Sequence, residues 1–239
     1  MSALSPPPLV THSPNLATLA IPGAVVAVQE TRIGAKDTEV AMDALLSIGI
    51  GLGLSAACGF RVFVPLLVAS LAAQGGYLSL APGFEWVGTQ PALYAFATAT
   101  LLEVLAYYIP WLDNMLDAIA TPAAVVAGML VGAAVFTDLP PLVKWSLAII
   151  AGGAAAGMVQ GATSLLRLKS TVLSGGLANP VVSTLELVGS VAMAVVALMV
   201  PVVALLLAVA LCIAAFRLAG RILFGRRGKS DSPTSNTST

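Results

Sequence analysis

The chain has 239 residues, of which 58% are hydrophobic and only 9% charged, and its eleven basic residues balance its eleven acidic ones. A soluble domain carries about 25% charged residues, so too few polar side chains are present to cover a water-facing surface, and the mean hydropathy of +0.97 makes the same point. Zero net charge excludes the basic footprint of a nucleic-acid-binding protein; the composition fits an all-α polytopic transmembrane helical bundle with the lipid bilayer as solvent.

Residues 1–41 are rich in Pro, Ser, Thr and Ala, with Pro6, Pro7 and Pro8 in succession. They lack the basic first region of a secretory signal peptide and read as a disordered N-terminal tail. The membrane domain is expected over 42–224, with Met42 a candidate start, and residues 225–239 read as a disordered polar tail.

Six apolar segments follow. The first, 44–73, is too long for one simple crossing and is interrupted by Cys58-Gly59 and Pro65, which predicts a broken or re-entrant helix. The others run over 91–109, 122–136, 141–161, 181–200 and 202–223. The third is short against the roughly 20 residues a bilayer needs, unless Thr121 and Thr137 extend it. Arg217, Arg221, Arg226, Arg227 and Lys229 place the C-terminal end in the cytoplasm. Six spans then put the N-terminus there too, beside Arg32 and Lys36, in what is expected to be a bacterial cytoplasmic membrane. The 74–90 connection, with Glu85 but no Lys or Arg, lies outside.

The two halves share features. Gly49, Gly51, Gly53 and Gly59 precede Arg61; Gly152, Gly153, Gly157 and Gly161 precede Arg167. Thr100-Leu101-Leu102-Glu103 has a counterpart in Ser183-Thr184-Leu185-Glu186. Three spans per half would make these inverted three-helix repeats, a transporter design. Chance similarity in glycine- and alanine-rich sequence is the competing explanation. Glycines four apart, as in Gly49/Gly53, Gly128/Gly132 and Gly153/Gly157/Gly161, let helices approach closely, within the chain or across a homo-oligomer.

Arg61 lies deep in an apolar run, where an arginine costs roughly 2.5–3.5 kcal/mol on insertion scales. It should face protein or a water-filled cavity and be paired. A half-helix N-terminus beside it would attract an anion. Arg61, Arg167 and Lys169 are therefore candidate substrate-binding residues for an anionic solute or lipid head group. Glu103 and Glu186 are candidate coupling groups or ion-pair partners. The segment 164–180, with Arg167, Lys169, Ser170, Gly175 and Gly176, is a connector that folds back or meets lipid phosphate.

The stretch Pro110-Trp111-Leu112-Asp113-Asn114-Met115-Leu116-Asp117 reads as a short interfacial helix. Asp113 and Asp117 share one face and are weak candidates for a divalent metal, or simply a solvated face. The single histidine is His12, in the tail, which excludes histidine-ligated zinc or haem and a Ser-His-Asp triad in the bundle. No cofactor is expected. Cys58 and Cys212 read as core thiols rather than a disulfide framework.

The stretches Gly59-Phe60-Arg61-Val62-Phe63-Val64-Pro65, Glu103 to Pro110 with Asp113 and Asp117, and Arg167 to Pro180 followed by Glu186 resemble the bacterial membrane family known as domain of unknown function 4126. The resemblance covers 42–224 and implies no activity. The residues themselves leave three readings: a small transporter-like protein for an anion, a structural or scaffold membrane protein, or a membrane enzyme using Asp113 and Asp117 with a metal.

Overall fold

Among the described residues every element is a helix, and proline begins most of them. The computed structural model describes residues 22–106, 109–137, 139–175 and 178–224. The helices are α1 (Pro22–Cys58), α2 (Phe63–Gln74), α3 (Gln90–Ala106), α4 (Pro110–Val135), α5 (Pro141–Leu147), α6 (Gly153–Ser174), α7 (Asn179–Met199) and α8 (Pro201–Phe224). Proline stands at or next to the first position of α1, α3, α4, α5, α7 and α8, where its missing N–H would be unsatisfied anyway and its fixed φ suits the first turn. The chain divides into two compact units, Met1–Ala41 and Met42–Thr239. In the first, residues 22–41 are helical.

Four helical stretches among the described residues are long and apolar enough to cross a membrane: Thr38–Cys58, Pro141–Ser174, Asn179–Met199 and Pro201–Ile222. Phe63–Gln74 and Ile119–Val135 are shorter apolar helices. Leu142, Ile150, Leu173, Leu185, Leu206 and Phe216 are largely exposed, whereas the interior is built mainly from alanine, valine and glycine. Large apolar side chains outside and small ones inside are what lipid permits and close helix packing requires. The protein is an integral membrane protein.

The first apolar segment is broken, and it folds back. α1 ends at Cys58 and α2 starts at Phe63. Asp43, Ser47 and Ile50 of α1 border the same hollow as Tyr77, Leu78 and Ser79, which follow α2. The two helices are thus antiparallel arms of a hairpin with its tip at residues 59–62. The segment 44–73 is thus two helices and not one straight span. The Met42 end of α1 and the 74–90 connection lie at the same end of the bundle, which we call the base.

Close approaches fix the other directions. Gly49 packs on Pro201, and Gly53 packs on Ala197 and Ala204, while Ser190 Oγ donates to the Ala57 carbonyl at 3.1 Å. α7 is therefore antiparallel to α1 and α8 parallel to it. Gly152 lies against Ser55, and Gly59 against Ala156, Val159 and Gln160, so α6 runs parallel to α1. The glycine-rich helices of the two halves thus point the same way, and an inverted pair is not what they form. Gly128 packs on Gly152 and Ala156, and Gly157 on Val125. These glycine faces meet neighbouring helices of the same chain, while Gly161 has open space.

Two boundaries also move. Pro122 is inside α4 rather than at its start, so the predicted interfacial helix and the third span form one helix; a proline is tolerated there because membrane neighbours re-satisfy the freed carbonyl. The fourth span continues through the predicted connector to Ser174, giving 34 residues over Pro141–Ser174. A π-helical turn, Ala148–Gly152, joins α5 to α6 where Gly152 meets Gly128. Gly175, with φ of +63°, ends α6 in the left-handed conformation that glycine adopts without a Cβ penalty. Asn179 then donates from Nδ2 to Thr171 Oγ1 at 3.1 Å, tying the start of α7 to α6.

Candidate functional site

The hairpin tip is the most polar place in the interior. Gly59 N donates to Ala56 O at 3.0 Å and Phe60 N to Ala57 O at 3.0 Å, so α1 closes with a tightened final turn. α2 then begins with the unsatisfied N–H groups of any helix start. Glu103, one face of α3, supplies the acceptors. Its Oε1 takes the Val62 N–H at 2.8 Å and its Oε2 the Phe63 N–H at 3.1 Å. Pro65, two residues on, has no N–H to satisfy. A carboxylate at a helix N-terminus also interacts favourably with the helix dipole.

Arg61 projects from the tip to α7. Its Nη2 donates to the Ser183 carbonyl at 2.8 Å and to Ser183 Oγ. The same nitrogen stands 3.9 Å from Glu186 Oε2. Arg167, on α6, grips Glu186 side-on: Nε reaches Oε1 at 2.9 Å and Nη2 contacts Oε2. Two guanidinium groups from separate elements therefore share one carboxylate. Arg61 is 1% exposed, Arg167 4%, Glu186 5% and Glu103 8%, so all four are buried, with Glu103 showing at the wall of a cavity.

Sequence spacing explains the convergence. On α7, Ser183, Glu186, Ser190, Met193, Ala194 and Ala197 are buried; they recur at three and four residues and so form one stripe. Its polar half faces the hairpin tip and its apolar half faces Gly53. On α6, Val159, Gln160, Thr163 and Arg167 make a matching stripe. Arg167 lies about two turns before the end of α6, and Glu186 about two turns after the start of α7. Both are thus roughly 10 Å inside the end opposite the base.

Of the residues singled out in the sequence, Arg61, Arg167, Glu103 and Glu186 come together. Lys169 does not: it is exposed, being about 200° around α6 from Arg167. Asp113 and Asp117 lie on α4, but their side chains fall outside the described residues, as do those of Tyr107, Tyr108 and Trp111. Among the described residues no group of three or more His, Cys, Asp or Glu could hold a metal. Ser183 and Ser190 were not foreseen as site residues. The signal was available, since Ser183, Glu186 and Ser190 keep a helical spacing within a strongly apolar helix.

Beside the tip, a cavity of about 430 Å³ lies among α2, α3 and α4, with Glu103 in its wall. A second hollow of about 410 Å³ at the base is lined by Asp43, Ser47, Tyr77, Ser79 and Thr137 among others. Lys144 sits over the Phe84 ring, 5.6 Å from its centre. The exposed Glu85 carboxyl is held below its usual range by its own backbone N–H and that of Gly83, and less by Lys144.

Residues 48–221 match the family described as Domain of unknown function (DUF4126). No curated protein and no solved structure matches the chain.

Proposed function

We propose that this chain, which belongs to the DUF4126 family, is a small transporter-like protein that handles a phosphate-bearing anion, either a free solute or a lipid head group. One observation carries the reading: Arg61 and Arg167 converge from different helices on the single carboxylate of Glu186. Two forked guanidinium groups are suited to bidentate binding of phosphate. In this reading Glu186 stands where the substrate anion binds, as an internal counter-ion that holds the site shut. Protonation or displacement of Glu186 would free both arginines.

The end of the bundle nearest the site also carries Lys169, Arg217 and Arg221, at the ends of α6 and α8. Basic residues mark the cytoplasmic side, so we assign this end to the cytoplasm and the base, with residues 42–47 and 74–90, to the outside. Single cysteines placed at Ser79 and Lys169 in a Cys58→Ala, Cys212→Ala background should react with an impermeant maleimide from opposite sides. Reaction of both from one side would refute this assignment.

Vesicles test the transport reading in two arms: uptake of radiolabelled inorganic phosphate, and flipping of fluorescent phosphatidylglycerol. Wild type should accelerate one of them over empty vesicles, and which one identifies the source of the anion. Arg61→Gln should abolish that activity. Equal activity in both proteins removes Arg61 from the mechanism, and no movement in either arm removes the reading. A structural role has one observation in its favour, the complete burial of the four charges. It predicts that Arg61→Gln lowers stability with no transport to lose.

A further inference from the structure

The cavity beside the hairpin tip has a shape and chemistry that the arginine pair does not explain. Its walls are Val62 and Phe63 at the start of α2, Ala99 on α3, and Ala120 and Ala123 on α4. Leu102 and Ile119 also border it and are 61% and 62% exposed, so the cavity opens sideways between α3 and α4 to the lipid-facing surface. Its volume of about 430 Å³ is within the range of small-ligand pockets. Small alanine side chains on two facing helices create the room.

Among the described residues of this lining, Glu103 is the sole ionisable one. A carboxylate has about four acceptor positions. Val62 and Phe63 take one on each oxygen, and no other described hydrogen bond reaches Glu103. Acceptor capacity therefore remains on a carboxylate that borders a pocket otherwise walled by hydrocarbon. A hydrogen-bond acceptor in such surroundings favours a donor, and a charged one most. An anionic head group would be repelled by the same carboxylate.

We infer that this cavity is a lateral binding site for a bilayer lipid with an amine-bearing head group, its ammonium on Glu103 and its apolar chain along the alanine faces of α3 and α4. The aperture faces the membrane, which is the route by which such an amphiphile arrives. The described lining includes none of Arg61, Arg167 and Glu186, and the inference does not rest on the transport reading.

Dodecylamine is the probe, with dodecanol and dodecanoate as uncharged and anionic controls of equal chain length. Each is titrated against the full chain in detergent while thermal unfolding is followed. Wild type should be stabilised by dodecylamine with an apparent affinity about tenfold or more above that of dodecanol, as a charge-assisted hydrogen bond provides, and dodecanoate should be weakest. Glu103→Gln, which keeps an acceptor for the α2 N-terminus, should reduce dodecylamine to the level of dodecanol. Ala99→Phe, which fills the cavity and leaves the carboxylate, should remove stabilisation by both. The inference is overturned if dodecylamine and dodecanol act equally on wild type, or if the preference for the amine survives in Ala99→Phe. Either result would leave the behaviour of the arginine pair untouched.

Discussion

Arg167→Ala is expected to destabilise the fold by about 3–5 kcal/mol, the range for removing one partner of a buried ion pair. Arg167 makes both of its described contacts with Glu186 from within the bundle. Its loss leaves Glu186 at 5% exposure with, among the described residues, only the longer Arg61 contact of 3.9 Å. The cost is the desolvation of an under-compensated carboxylate, so removing that carboxylate as well should recover part of it. Arg167→Ala/Glu186→Ala should be more stable than Arg167→Ala alone, a non-additivity expected of residues in direct contact. Lys169→Ala, two residues away and exposed, is the control and should change little. Thermal unfolding in detergent separates these variants. Equal midpoints for Arg167→Ala and Lys169→Ala would mean that the ion pair does not hold α6 to α7.

Gly59→Leu should cost roughly 3 kcal/mol, the upper end of ordinary overpacking. A Cβ at residue 59 would stand 2.6 Å from the Ala156 carbonyl oxygen and 2.6 Å from Val159 Cβ. Both obstacles belong to α6, and one is backbone, so neither can swing aside. The hairpin tip would have to leave α6, taking Arg61 and the start of α2 with it. Cys58 is fully buried next to Gly59 and reports that movement: it should become reactive to maleimide in Gly59→Leu while staying protected in wild type. Gly161→Ala lies in the same α6 but meets nothing within 4 Å, and replacing a helical glycine there should be neutral or mildly stabilising. If Gly59→Leu leaves Cys58 protected and the midpoint unchanged, the tip does not seat on α6 as described.

Much of the site can be read from the sequence because lipid makes charge conspicuous. A chain with so few charged residues cannot hide Arg61, Glu103, Arg167 or Glu186 in an apolar run, and each needs a partner. The break near Gly59 was legible for a similar reason: Gly59 and Pro65 interrupt an apolar stretch too long for one crossing. Direction was not legible. Nothing in residues 59–62 says whether the next helix continues or returns, because a four-residue link serves either. Four helices among the described residues are long and apolar enough to cross, against the six expected, and the glycine-rich helices α1 and α6 lie parallel, which spacing along the chain does not reveal. Pro122 was read as a helix start by the rule for soluble helices, which is weaker where neighbouring helices shield an open carbonyl. Lys169 was grouped with Arg167 by proximity along the chain, although two residues on a helix point to different sides. Ser183 escaped notice because a hydroxyl in an apolar helix carries no obligation to pair that a charge does.

In the proposed function Glu186 is an internal occupant of an anion site, and one binding measurement tests that directly. Inorganic phosphate and dioctanoyl phosphatidylglycerol are titrated against detergent-solubilised wild type, Glu186→Gln and Arg61→Gln. Removing the competing charge should make Glu186→Gln bind one of the two anions more tightly than wild type, and Arg61→Gln should bind it more weakly. No gain in Glu186→Gln, or binding unaffected by Arg61→Gln, would show that the two arginines and their shared carboxylate serve the fold and not a ligand.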